Sequence, residues 1–316
     1  MKKTLIVIAT LLISISVRSQ LIYPYPVQSL VLTIEGKHVK MAYMDIKQPG
    51  SSPVKNILLL HGKNFNGYYW KELIPLLIGS GYRVIVPDQP GWGKSDRIDL
   101  HYSFQMLAAS TRILLQSLEI NKIIVLGHSM GGMLATRFAL MYPEMTEKLV
   151  LEDPIGLEDY KSFVPYQPID SLFKKERSAT YESYKKYQQS YYPLWKPDYE
   201  QYVKAQATDL ERPDFDSIAF INAITYQMIY EQPICYEFDK IKIPTLIIIG
   251  KEDHTIVGKD KLSEEAKKIY GNYPTLGRLT QEKIQGSTLI LLDAIGHIPH
   301  VQDISAFWKS IKDWLQ

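Results

Sequence analysis

An apolar run ending on a serine between two glycines constrains this chain more than any other stretch: Lys122-Ile123-Ile124-Val125-Leu126-Gly127-His128-Ser129-Met130-Gly131-Gly132. Ile123 to Leu126 is continuous and rich in β-branched residues, the pattern of a strand buried on both faces of a parallel sheet. Beyond the glycines, Met133, Leu134, Phe138 and Met141 recur at helical spacing, and Pro143 closes the segment. The stretch predicts a strand, a sharp turn and a helix. A serine on such a turn needs Gly127 and Gly131, because a Cβ at either place would crowd the neighbouring strand or helix. Ser129 Oγ would then stand above the sheet, beside a helix N-terminus whose free N–H groups favour developing negative charge. Taken alone, the same residues also fit an ordinary βα turn capped by a serine.

The remaining chain repeats the alternation. Residues 29–34 and 38–46 predict two strands joined around Glu35-Gly36-Lys37, and Pro49 to Pro53 a turn. Asn56 to Leu60 is a buried strand ending at His61-Gly62. A helix over about Tyr69 to Ile78 follows, then a strand over Tyr82 to Pro87 and a glycine-rich loop, Asp88 to Asp96. Ser103 to Leu118 carries apolar residues at amphipathic helical spacing. After the serine turn come a strand at Lys148 to Pro154, another at Ile243 to Gly250, mostly helix and loop over 259–285, a last strand at Thr288 to Leu292, and a closing helix near Ser305 to Leu315. Buried strands alternating with helices predict an α/β fold with a doubly wound, mostly parallel sheet.

Composition changes between residues 154 and 238. This segment holds 12 of the 22 tyrosines and no run resembling a buried strand, so it reads as an inserted helical cap between core segments 20–153 and 239–316. Its tyrosines could line a mixed polar and apolar pocket or simply pack the cap helices.

Met1 to Ser19 pairs two lysines with an apolar core from Leu5 to Ile15 and ends Val17-Arg18-Ser19, the pattern of a signal peptide with the mature chain starting at Gln20. The core is short for a bilayer span, and a retained anchor is the rival reading. Export would place the protein in the periplasm or outside the cell, with no stable membrane span after cleavage. Without Lys2, Lys3 and Arg18 the chain has 33 basic and 34 acidic residues, which points away from nucleic acid as a partner. Cys235 is the only cysteine, so no internal disulfide can form.

Polar residues follow the C-terminal ends of four apolar strands: His61 to Lys63, Ser129, Asp253 and His297. In an open parallel sheet the binding crevice lies along that edge. The chain order of nucleophile, acid and histidine makes Ser129 the candidate nucleophile, His297 the general base and Asp253 the acid that orients it. Glu252 and Asp153 compete with Asp253, and His300 competes with His297. His128 is expected to pack beneath the turn and His61 to support a loop. No histidine and carboxylate set has metal-ligand spacing, and Gly91 to Gly93 lack a phosphate-binding fingerprint, so neither metal nor cofactor is expected.

Over about residues 29–315 the chain resembles the α/β-hydrolase superfamily, in the form carrying a cap. The residues that carry the likeness are Gly127-His128-Ser129-Met130-Gly131, His61-Gly62, Asp88-Gln89-Pro90-Gly91-Trp92-Gly93-Lys94-Ser95-Asp96, Gly250-Lys251-Glu252-Asp253 and Gly296-His297. The resemblance favours Asp253 and His297 over their rivals and implies an oxyanion hole from the backbone N–H groups of Lys63 and Met130. It also sets serine apart from the aspartate that related dehalogenases and epoxide hydrolases carry at this turn. Serine supports acyl chemistry, and the leading expectation is hydrolysis of a small carboxylic ester with an apolar or aromatic part. Amide hydrolysis and C–C cleavage of diketone-like substrates use a similar site in the same superfamily, and a non-catalytic binding protein on this fold is a remote alternative.

Overall fold

The computed structural model describes residues 21–50, 53 and 55–316. The expected signal segment, residues 1–19, lies outside them, as do Gln20 and residues 51 and 52 of the expected turn. Among the described residues eight strands form a single sheet: β1 (Gln28–Ile34), β2 (Lys37–Ile46), β3 (Lys55–Leu60), β4 (Tyr82–Pro87), β5 (Ile123–His128), β6 (Thr146–Glu152), β7 (Thr245–Gly250) and β8 (Thr288–Leu292), in the order β1-β2-β4-β3-β5-β6-β7-β8. β1 pairs antiparallel with β2, and β2 with β4. The other five pairings are parallel. The opening hairpin closes through Glu35 and Gly36, both at positive φ, the backbone that matches a two-residue turn to strand twist.

Helices α1 (Leu73–Gly79), α2 (Phe104–Ser117) and α3 (Met130–Met141) alternate with the strands before β6. Four helices lie between β6 and β7: α4 (Ile169–Arg177), α5 (Tyr181–Gln189), α6 (Glu200–Ala207) and α7 (Phe215–Glu231). Four more close the chain: α8 (Glu264–Ile269), α9 (Tyr273–Lys283), α10 (Pro299–Gln302) and α11 (Ile304–Leu315). Among the described residues no helix is long and apolar enough to cross a membrane.

The unbroken apolar strands follow from cover on both faces. In β5, Ile123 and Val125 pack into the core shared with α2 and α3, while Ile124 and Leu126 pack into the one shared with α1 and α11. β7 repeats this with Ile247 and Ile249 on one side, Leu246 and Ile248 on the other. Each such side chain is fully buried, contributing about 1.5–3 kcal/mol before conformational entropy is charged against it. The helix expected from Tyr69 starts later, at Leu73. Ahead of it, Gly67–Trp70 forms a separate 3₁₀ turn capped by the Asn66 side chain, which accepts the Tyr68 N–H.

Candidate active site

Sterics fix the serine turn. A Cβ on Gly127 would overlap the backbone carbonyl of Gly131 at the start of α3, and one on Gly131 would overlap the carbonyl of Leu60 at the end of β3. Both glycines thus let α3 press its first turn against the strand ends. Ser129 itself takes φ 56° and ψ −121°, a backbone L-residues rarely adopt, held by its N–H to the Glu152 carbonyl and by its own carbonyl, which accepts the Gly132 and Ile155 N–H groups.

The side chains predicted from three separate strand ends meet here. His297 Nε2 lies 3.0 Å from Ser129 Oγ, and His297 Nδ1 lies 2.7 Å from Asp253 Oδ2. Asp253 Oδ1 also accepts the Thr255 N–H at 2.8 Å. All three residues are buried, at 7%, 1% and 1% exposure for Ser129, His297 and Asp253. This network assigns the Nδ1 proton to the Asp253 side and leaves Nε2 free to accept from the serine. Burial pushes the Asp253 carboxyl upward, but the His297 charge and hydrogen bond, with the Thr255 N–H, hold it below the ordinary range.

Of the rivals, Glu252 points to solvent, with its N–H on the Ile295 carbonyl. Asp153 is fully buried beside Asp253 and takes the Gly250 N–H on both oxygens, at 3.0 and 3.2 Å. His300 turns away from the serine: its Nδ1 lies 2.8 Å from Glu152 Oε1, which also accepts its backbone N–H at 2.9 Å. Replacing Glu152 by leucine strands these two buried donors. With about 1–3 kcal/mol lost per unpaired group, we expect urea unfolding to show 2 kcal/mol or more of destabilisation; a loss under 1 kcal/mol would contradict the contact's role.

Lys63 follows the His61-Gly62 pair beyond the end of β3, and Met130 follows Ser129 at the start of α3. Among the described residues neither backbone N–H has a protein acceptor, and a Cβ on Gly62, next to Lys63, would come 3.2 Å from the Ser129 Cβ. Sequence patterns did not reveal what holds this loop. Gly62 N–H donates to Tyr69 Oη, Tyr69 Oη lies 3.2 Å from His128 Nδ1, and His128 Nε2 lies 2.7 Å from the His297 carbonyl. Burial, then the neighbouring His297 and His300, push His128 well below its ordinary value, so it stays neutral and can accept at one nitrogen while donating at the other. Asp88, central to the glycine-rich loop, accepts the Gly67 and Lys94 N–H groups and the Tyr23 hydroxyl, and Trp92 Nε1 donates to the Lys63 carbonyl at 2.7 Å. These contacts give the loop from Asp88 to Asp96 a bracing role.

The helices between β6 and β7 reach the site through Tyr191. Its carbonyl accepts the His297 N–H at 2.8 Å, its ring centroid lies 4.9 Å from that of His297, and its hydroxyl accepts from Asn64. A cavity of about 260 Å³ opens beside Lys63 and Asn64, with Tyr184, Tyr187, Tyr226 and Gln206 in its walls. Thus some tyrosines of this segment line a pocket, whereas Tyr192, Tyr199 and Tyr202 pack in the core. Among the described residues no three His, Cys, Asp or Glu side chains are grouped for a metal ion.

The family model described as the alpha/beta hydrolase fold matches residues 55–282. The chain belongs to this family. Among solved structures, this hydrolase resembles a probable hydrolytic enzyme from Pseudomonas aeruginosa PAO1 at 41% identity and a TM-score of 0.90, over 93% of this chain and 95% of the other. Among curated relatives, it is 35% identical to a 2-hydroxy-6-oxo-6-phenylhexa-2,4-dienoate hydrolase from Burkholderia cepacia, over 41% of this chain and 47% of that one. It is 30% identical to a 2-hydroxy-6-oxononadienedioate/2-hydroxy-6-oxononatrienedioate hydrolase from Paraburkholderia phymatum, over 64% and 72% respectively. The hydrolase therefore spans about half the length of the first of these relatives.

Proposed function

We propose that this protein is an exported serine hydrolase that cleaves a carboxylic ester through an acyl-enzyme, with residues 154–238 acting as its cap. The observation that carries the reading is the continuous line of hydrogen-bond contacts from Ser129 Oγ through His297 to Asp253. Ser129 attacks the ester carbonyl while His297 Nε2 takes its proton. The C–O π pair moves to oxygen, and the N–H groups of Met130 and Lys63 face the oxyanion. Removing one such donor costs about 2.7–4 kcal/mol of barrier in the type example. As the tetrahedral intermediate collapses, the proton on His297 passes to the departing alkoxide. Water then repeats the sequence on the acyl-enzyme, with His297 again as base and Asp253 holding the imidazolium.

A second reading, hydrolytic C–C cleavage of a vinylogous diketone on the same triad, draws on the names of the two curated relatives. Two assays separate the readings. Labelling of Ser129 by a fluorophosphonate is expected under both readings, whereas turnover of p-nitrophenyl esters, with a preference for acyl or alcohol groups that fit the tyrosine-walled cavity, marks ester hydrolysis. Inert esters alongside cleavage of a 2-hydroxy-6-oxo-dienoate would move the assignment to C–C hydrolysis. Export rests on the lysines and apolar core of residues 1–19, and N-terminal sequencing of the mature protein tests it, with Gln20 expected first.

A further inference from the structure

The β6 and β7 ends place two carboxyl groups against each other. Glu152 pairs in register with Ile248, so Asp153, one residue on, lies beside the strand that leads to Asp253, and its own N–H bonds to the Ile248 carbonyl. The Asp153 carboxyl is fully buried, straddled by the Gly250 N–H, and in hydrogen-bonding contact with the Asp253 carboxyl. No described cation forms an ion pair with it. The titratable groups around the pair are Glu152, Tyr160, Tyr273 and, beyond Asp253, His297.

We propose that Asp153 is a neutral carboxylic acid whose O–H donates to Asp253, making it a positioning residue for the acid that holds His297. Two carboxylates in contact, with His297 paired to Asp253 and no described cation paired to Asp153, do not both stay ionised, so one proton remains between them. Asp253 already takes the His297 ring N–H and the Thr255 N–H, both of which favour its anion. The proton therefore resides on Asp153, where it turns a repulsive contact into a donated hydrogen bond. Burial first, and the Asp253 charge second, push the Asp153 carboxyl far above the ordinary range, while the Gly250 N–H only partly opposes them. With this donor in place Asp253 is a weaker base, so it holds the imidazolium without taking its proton.

The proposal rests on the reading of Asp253 as the orienting acid, and its test is built to fail separately. Infrared difference spectra of the wild type against Asp153→Asn at neutral pH should contain a protonated-carboxyl C=O stretch that only the wild type shows, whatever the turnover. In Asp153→Asn the amide N–H replaces the O–H, so kcat/KM should stay within about threefold and the acid limb of its pH profile should not move. Asp153→Ala removes the donor. Asp253 becomes the stronger base, imidazolium is favoured, and the acid limb should shift to higher pH with kcat/KM down about tenfold. An acid limb moving to lower pH in Asp153→Asn, with no carboxyl band in the wild type, would show a buried anion and overturn the proposal. So would an Asp153→Ala profile that superposes on the wild type. If Asp153→Ala does not fold, the band and the Asp153→Asn profile decide alone. Full turnover in Asp253→Asn would instead sink the triad, leaving the band as the measure of Asp153.

Discussion

Ser129→Ala is expected to lower kcat by about a million-fold while leaving the fold intact. The serine oxygen lies 3.0 Å from His297 Nε2, and alanine removes that oxygen without adding atoms. Melting should change little, because alanine accepts the same φ of 56° about as poorly as serine and the backbone bonds to Glu152, Gly132 and Ile155 remain. Asp253→Asn should cost about ten-thousandfold, since the carboxamide would select the wrong imidazole tautomer. The double variant should be no slower than Ser129→Ala alone, because the two residues act as one unit. Turnover of purified Ser129→Ala within a hundredfold of wild type would remove the serine from the mechanism. Fluorophosphonate labelling that persists in that variant would lead to the same conclusion.

The sheet was legible because its strands are covered on both faces, which writes them as unbroken apolar runs such as Ile123 to Leu126 and Leu246 to Ile249. The antiparallel opening was legible through Glu35-Gly36. The start of α1 was not, because Tyr69 and Trp70 look like the buried face of a helix but are buried in a separate 3₁₀ turn, tied down by the Asn66 side chain. Ser129, Asp253 and His297 could be found because each follows an apolar strand, and a parallel sheet brings such ends together. The choice between Asp253 and Asp153 could not be made from spacing: β6 and β7 are neighbours, and the two carboxyls end side by side. Glu152 with His300, Tyr69 with His128 and Tyr191 with His297 join residues far apart in the chain through tertiary contact, and no local pattern marks them. Tyr191 is one tyrosine in a segment full of them.

Gly131→Ala should be far more damaging than its single methyl suggests, and Gly79→Ala provides the contrast. Around Gly79, at the end of α1, a Cβ would meet nothing within 4 Å, so alanine should stabilise the helix by about 0.5–1 kcal/mol. At Gly131 the same methyl would overlap the backbone carbonyl of Leu60 and come against that of His61. Strand backbone cannot rotate out of the way as a side chain can, so α3 must lift from β3. We expect a loss of at least about 4 kcal/mol in urea unfolding, or no soluble protein. Gly131→Ala within 1 kcal/mol of wild type would mean that the contact between α3 and β3 is not rigid. The same displacement bears on catalysis, because β3 leads into Gly62 and Lys63 while α3 begins at Met130. Separating the two elements separates the two N–H groups proposed to face the oxyanion, and a variant that retains partial folding should therefore lose kcat more steeply than it loses substrate affinity.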